Sequence, residues 1–401
     1  MVEDSAALPL SPSRTGKVAP VPNASPDSPS NKPFEIFLAT FPGLEAVLLE
    51  EVRGKGFRHA RAVAGGVTIE GGWPEVWRAN LWLRGAGRVL ARVAQFHATH
   101  FAQLDDRAHA VDWARLLRRD VAFRVEASCA GSRLYHSDAV AQRVATAIRE
   151  TLGARESPDA PVLVMARMEK DICTLSLDTS GEPLHKRGYK QAVNPAPLRE
   201  TMAALFLRQA GYDGTAPLFD PMCGAGTFVI EAAEIALRLN PGRTRGFAFE
   251  QLATFDAEAW ARMRAVQRAA PPPPLLMGSD RDAGAVAMSQ ANAERAGVAA
   301  SVTFTQAPIS AASPPEGPPN TPPGLVIFNP PYGTRLGERQ ALLPLYRALG
   351  QTLRSRFAGW RVAMLVSEPK LAHASGLPFL PPGPPVPHGG LRVQLFQTGR
   401  L

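Results

Sequence analysis

The chain has 401 residues, 45% hydrophobic and 20% charged, the composition of a globular protein with room for two or three domains and at least one large core. No apolar run approaches the roughly 20 residues of a membrane-spanning helix, and three scattered cysteines, Cys129, Cys173 and Cys223, exclude a disulfide framework or a zinc site and suit a reducing cytoplasm. A net charge of +8 favours a polyanionic partner, because each phosphate contact releases counterions.

Residues 1–33 are rich in Ser, Pro and Ala, so burial there cannot offset ordering entropy and a disordered tail without a secretory leader is expected. From Phe34 the run FEIFLAT alternates like a strand, and PGLEAVLLEEVRGKGF carries the three-and-four spacing of a helix. Two short strands around a glycine turn follow in ARAVAGGVTIEG, then a helix and a strand in PEVWRANLWLRGAGRVLARVAQF. This first module spans residues 34–96, and a second spans 97–178. In the second, VDWARLL reads as helical and VAFRVEASCAG as a strand. SDAVAQRVATAIRETLG is an amphipathic helix with Ser137 and Asp138 available as caps, and VLVMARMEKDICTLSLDT is a hairpin. LHKRGYKQAVNPAPLRETMAALFLRQAGY is a basic loop leading to a helix. Of its cations, Lys186, Arg187 and Lys190, with Arg133 upstream, are candidates for phosphate contact, although a solvated basic face explains any one of them.

From Pro217 short apolar runs alternate with helical patterns, as in PLFD then TFVIEAAEIALRL, and LLMGSD then AGAVAMSQANAERAG. VTFTQ, GLVIFNPP, RVAMLVSEP and LRVQLFQ continue the series. Such alternation predicts a doubly wound, mainly parallel α/β sheet over residues 179–401.

Three motifs in that segment carry chemistry. Asp220-Pro221-Met222-Cys223-Gly224-Ala225-Gly226-Thr227 joins a strand to a helix, where open parallel sheets bind ligands. Gly224 and Gly226 let a ligand approach the backbone. The leading Asp and the absent third glycine argue against a dinucleotide pyrophosphate and for a cofactor held by carboxylates and amides. Gly278-Ser279-Asp280 ends the next strand, where a carboxylate can accept from ribose hydroxyls, whereas Asp282 suits a helix N-cap. Asn329-Pro330-Pro331-Tyr332 ends the strand LVIF. The two prolines stiffen the turn and aim the Asn329 oxygen and the Pro330 carbonyl at one point, where they can grip both hydrogens of an amino group. Tyr332 offers a flat face for a planar base.

With these motifs in this order, the segment from Leu218 onward resembles a class I (Rossmann-like) methyltransferase dependent on S-adenosylmethionine (SAM). Nearly all of Phe34–Leu401 resembles the THUMP-domain RNA guanine-N2 methyltransferases, in particular the N-terminal half of RlmL-type 23S rRNA enzymes. The resemblance rests on FPGLEAVLLEEV, AGGVTIEG, LWLRGAGRVL, LHKRGYK, APLRETMAALF, DPMCGAGTFVIEAA and FNPPYGTRLG. It implies a ferredoxin-like domain, a THUMP domain that grips RNA, and a seven-stranded methyltransferase sheet whose last pair of strands is an antiparallel hairpin containing LRVQLFQ. It assigns Asp220, Pro221, Cys223, Gly224, Gly226, Thr227 and Asp280 to SAM, and Asn329, Pro330, Pro331 and Tyr332 to catalysis, with no metal. The family often has an acidic residue near the adenine after the third strand. VTFTQAPIS has none, which leaves backbone and apolar contacts for that ring. Longer RlmL-type proteins carry a further methyltransferase domain whose activity is not expected from this chain.

Ribosomal RNA is the expected substrate and tRNA the alternative. Asn-Pro-Pro-Tyr also serves DNA adenine-N6 methyltransferases and enzymes of release-factor glutamines. The former carry a target-recognition region and the latter a short helical N-terminal domain, and the module at Phe34–Asp178 fits neither. A catalytically dead RNA-binding protein would have lost the glycines or Asn329, which are intact.

Overall fold

Two seven-stranded sheets organise the protein, whose computed structural model describes residues 33–191, 198–266, 268–331, 333 and 336–401. The expected tail lies, but for Pro33, outside the described residues.

The first sheet is built from β1 (Phe34–Ala39), β2 (Arg61–Val63), β3 (Gly66–Gly71), β4 (Arg88–His97), β5 (Phe123–Ala130), β6 (Val162–Glu169) and β7 (Ile172–Asp178). Its helices are α1 (Glu45–Gly54), α2 (Trp73–Trp82), α3 (Phe101–His109) and α4 (Ser137–Leu152). The strand order is β2-β3-β1-β4-β7-β6-β5. The ten-residue β4 pairs antiparallel with β1 on one edge and β7 on the other, with an irregularity between Arg92 and Ala94. The two modules read from the sequence therefore share one continuous sheet.

Two elements differ from the sequence expectation. The helix expected at VDWARLL is only a single turn, Trp113–Arg115, and the helix proper, α3, precedes it. Trp113 is buried and its indole donates to the Ala108 carbonyl at 2.9 Å, so a tertiary anchor produces the apolar spacing there. His136, not Ser137 or Asp138, is the N-cap of α4, with no side-chain cap.

The second sheet has the order β10-β9-β8-β11-β12-β14-β13. Its strands are β8 (Leu218–Asp220), β9 (Leu276–Asp280), β10 (Thr303–Gln306), β11 (Leu325–Phe328), β12 (Arg361–Val366), β13 (Val386–His388) and β14 (Leu391–Arg400). The first five in the order are parallel, and β14 runs antiparallel to both β12 and β13, the expected hairpin. The helices are α5 (Glu200–Gln209), α6 (Thr227–Ala236), α7 (Ala257–Ala265), α8 (Ala283–Ala296), α9 (Leu336–Arg356) and α10 (Pro369–Ala374).

Strand periodicity divides the core between the sheet's faces. Leu325 and Ile327 join a large cluster that includes Ile36, Trp77 and Phe249, whereas Val326 and Phe328 join a second with Tyr346, Phe357 and Trp360. On the first face α6 and α8 pack on the sheet and its cluster runs on into the N-terminal half of the chain; the other face is covered by α9.

A buried ion cluster fastens the halves. Arg84, after α2, donates to Glu231 at 2.8 Å and to Glu234 at 3.0 Å, both on α6 and both fully buried. Arg187 lies 3.3 Å from Glu231 and Arg243 2.7 Å from Glu234. Burial pushes the Glu231 carboxyl up, but Arg187 and Arg84 outweigh it and hold its pKa below the ordinary value. Arg187 is therefore a structural cation and not a phosphate ligand. Lys190 is likewise interior, 3.6 Å from Glu200 and donating to the Leu198 carbonyl. Lys186 and Arg133 are exposed, beside Glu182 and Asp171.

Candidate active site

The strand order reverses between β8, whose other neighbour is β9, and β11, whose other neighbour is β12. Ligands bind at such a switch point, at the carboxyl ends of the strands. All three motifs end strands there: Asp220 closes β8, Asp280 closes β9 and Asn329 follows β11.

The loop after β8 is held from two sides, by the end of β9 and by α8. The Cys223 amide donates to the Ser279 carbonyl at 2.9 Å and the Gly224 amide to Asp280 Oδ2 at 3.0 Å. From α8, Ser289 Oγ donates to the Gly224 carbonyl at 2.8 Å and the Asn292 amide to the Ala225 carbonyl at 3.0 Å. Gly226 caps α6 at φ +77°, a conformation that L side chains rarely adopt. Gly278 is dictated by space: a Cβ there would lie 2.7 Å from the Phe304 ring and 3.0 Å from Cys223 Cβ. Pro221 and Cys223 are buried in the same loop and Thr227 is buried at the start of α6, and burial pushes the Cys223 thiol well up, so it is inert packing. Asp282 is the N-cap of α8, accepting from the Gly284 amide at 2.9 Å.

Asp220 is 2% exposed, and its Oδ1 accepts from the Met222 amide at 3.0 Å. No cation pairs with it among the described residues. Burial first, and the neighbouring Asp280 carboxylate as well, hold its pKa well above the usual range. Asp280 keeps lone pairs free after accepting from Gly224 and, at 3.1 Å, from the Asp282 amide. Two carboxylates without a cation, beside an exposed-backbone glycine turn, fit a positively charged cofactor rich in hydroxyls, and SAM is both. The strand beyond, β10, ends in Gln306, whose side chain donates to the Arg281 carbonyl at 3.1 Å, and offers the adenine no carboxylate.

Across the switch point, Asn329 is half-buried and its Oδ1 has no hydrogen-bond partner among the described residues. Pro330 is buried and Pro331 exposed. The buried Tyr346 hydroxyl of α9 donates to the Pro331 carbonyl at 3.0 Å and ties the turn to the core. Tyr332 lies outside the described residues. Ser289, Asn292 and Tyr346 are positioning residues that the sequence reading missed. The first two leave a local signal, a polar pair three apart in AVAMSQANAERAG, whereas Tyr346 leaves none.

Three family models match consecutive parts of the chain: the RlmL ferredoxin-like domain at residues 35–90, the THUMP domain at 98–178, and the RMKL-like methyltransferase domain at 187–377. A ribosomal RNA large subunit methyltransferase K/L from Legionella pneumophila is 35% identical over 358 residues, covering 86% of this chain and 50% of its own length. The chain thus spans about half the length of that relative. A Listeria monocytogenes protein described as an N6-adenine-specific DNA methylase is 31% identical, with a TM-score of 0.81 over 92% of this chain and 97% of its own. A protein assigned as a methyltransferase and crystallised with S-adenosylhomocysteine is 28% identical, with a TM-score of 0.81 over 92% of this chain and 99% of its own.

Proposed function

The chain belongs to the family of RMKL-like methyltransferases that carry an RlmL ferredoxin-like and a THUMP domain, and from that premise we propose that it transfers the methyl group of SAM to the exocyclic N2 of a guanosine in 23S rRNA. The observation that carries this reading is the orphaned Asn329 oxygen, across the switch point from the Asp220 and Asp280 carboxylates.

The chemistry follows from the chain's own groups. When bound, SAM supplies a methyl made electrophilic by its sulfonium. Asp280 holds the ribose hydroxyls, the Gly224–Thr227 turn leaves room beside the backbone, and Asp220 offsets positive charge. A guanine amine inside a stack is out of reach, so the target base is flipped or single-stranded. Tyr332 stacks on it. The amine lone pair is delocalised into the ring, and no strong base is needed. Asn329 Oδ1 and the Pro330 carbonyl accept its two hydrogens, localise the lone pair, and stabilise the positive charge that develops on nitrogen. The N-terminal half holds the RNA, and by clamping α6 through Arg84 it fixes the register between RNA grip and cofactor loop.

The Listeria relative's description supports a second reading, methylation of adenine N6 in DNA, because the same two acceptors fit that amine. The THUMP module and the Legionella relative's name favour RNA, with tRNA as the second RNA candidate. Mass spectrometry of rRNA, tRNA and DNA from cells with and without the gene tests this. Loss of one N2-methylguanosine from 23S rRNA is expected, and loss of methyladenine from DNA would overturn it. No helix among the described residues is long and apolar enough to cross a membrane.

A further inference from the structure

Past the catalytic turn, the sheet continues through β12 into the β13–β14 hairpin. Because β14 is antiparallel to β12, with Gln394 opposite Val366, the hairpin turn at His388–Leu391 projects beyond the same sheet edge that carries Asn329. Three strand spacings of ~4.8 Å set it about 15 Å to the side of that turn, measured across the strands. It lies on the opposite side of β11 from Asp220 and Asp280, so it is no part of the cofactor site.

Two adjoining clefts, of about 440 and 530 Å³, open at this hairpin, and both are lined by Arg199, His388 and Gly389. Arg392 lines one, and His185 and Lys186 the other. Arg199 and Arg392 are exposed, and neither has a hydrogen-bond or ion-pair partner among the described residues. The acidic groups nearby are committed elsewhere, Glu200 to Lys190 at 3.6 Å and Glu182 to Lys186. His388 is 7% exposed, and its Nε2 has no partner among the described residues. A buried polar atom left unsatisfied costs stability unless a ligand meets it. Gly389 and Gly390, at φ +56° and +81°, form the tight turn and leave its backbone bare for close approach. Burial, then the cations Arg199, Lys186, Lys190 and Arg187, lower the His185 pKa to about 4. Burial and Arg199 lower that of His388 too, so the cleft repels further positive charge.

We propose that this cleft binds a backbone phosphate of the RNA, flanking the nucleotide presented at Asn329, with Arg199 and Arg392 as its cationic walls and His388 Nε2 as the buried group that meets the phosphate oxygen. The inference rests on the reading of an RNA substrate above. A strand that delivers a base to Asn329 continues along the sheet edge, and this cleft is a cationic surface on the side away from the cofactor whose two arginines have no acidic partner among the described residues.

The test compares wild type with Arg199→Gln/Arg392→Gln and with Arg199→Lys/Arg392→Lys, using a single-stranded oligoribonucleotide and an unmodified 23S rRNA transcript. Affinity is measured against salt concentration, SAM affinity serves as the check on folding, and nitrogen-15 spectra follow the histidine rings. Loss of a phosphate contact lowers the slope of log Kd against log salt by about 0.7, so the Gln pair, which gives up the one phosphate, loses about 0.7 and binds about fourfold more weakly near 0.15 M salt, while the Lys pair keeps most of both. A bound phosphate raises the His185 and His388 pKa values in wild type. An unchanged slope in the Gln pair, with SAM affinity intact, overturns the cleft and leaves the rRNA reading standing. A wild type that shows the salt and histidine signatures yet methylates no guanine in rRNA overturns that reading and leaves the cleft standing.

Discussion

Replacing Arg84 by Met removes the cation at the centre of the buried cluster while keeping most of its volume. Two charge-assisted bonds to Glu231 and Glu234 are lost, at 2.8 and 3.0 Å, together with the bonds to the Glu234 and Leu239 carbonyls. Breaking a buried ion pair from one side costs about 3–5 kcal/mol, because the partner charge stays in low dielectric. Arg187 and Arg243 remain beside the two carboxylates, so the low end, about 3 kcal/mol, applies. With an unfolding entropy of ~2.1 cal/mol/K per residue over this chain, that corresponds to a melting point lower by about 4 °C. Thermal unfolding followed by circular dichroism is the assay, with Arg118→Met as control, since Arg118 pairs with Asp120 on the surface and should change little. A shift indistinguishable from the control would refute the claim that this cluster fastens the halves. The pH dependence has a definite sign. The Glu231 pKa is depressed in the folded chain, so its contribution is present above the unfolded pKa and lost as pH falls through the folded one.

Asp280→Ala removes the acceptor of the Gly224 amide as well as the ribose ligand, and should weaken SAM by about 1.5–3 kcal/mol in calorimetry; unchanged affinity would remove Asp280 from the site. Asp220 has a raised pKa in the free protein and ionises more readily beside a cation, so protonation competes with SAM. SAM affinity should therefore fall as pH drops below the free-state pKa and be flat above it, and Asp220→Asn should abolish that dependence. Tyr346→Phe, which frees the Pro331 carbonyl, should slow methyl transfer by roughly 3–10-fold at unchanged SAM affinity, read in single-turnover kinetics.

The three strand-end motifs were legible in the sequence because each couples a local turn to a strand-to-helix change, and both determinants lie within a few residues. The alternation of apolar runs likewise predicted the second sheet, while its closing hairpin came only from the family resemblance. What escaped depends on partners distant in sequence. Glu231 and Glu234 stand out only as two acids three apart in the apolar helix TFVIEAAEIALRL, and their cations come from Arg84 and Arg187 far upstream. Arg187 and Lys190 looked like surface charges because a basic stretch does not reveal which cations turn inward. The nine-residue α3 lacks the apolar content of VDWARLL, and Pro344 inside α9 hides that helix from a propensity reading. That the two N-terminal modules share one sheet was not legible, because nothing in the local pattern says that β4 pairs on both edges. Because one core cluster joins Ile36 to Leu395, deleting residues 34–178 would strip that core rather than release an intact cofactor domain.

The measurement that bears most directly on the account is a single-turnover reaction of the protein with methyl-labelled SAM and an unmodified 23S rRNA transcript, digested to nucleosides. The label is expected in N2-methylguanosine, and Asn329→Ala should cut the rate by about 10²–10³ with SAM affinity nearly unchanged, since one of two preorganised acceptors is lost. Label on a ring nitrogen or carbon, or an Asn329→Ala protein that reacts at full speed, would contradict it.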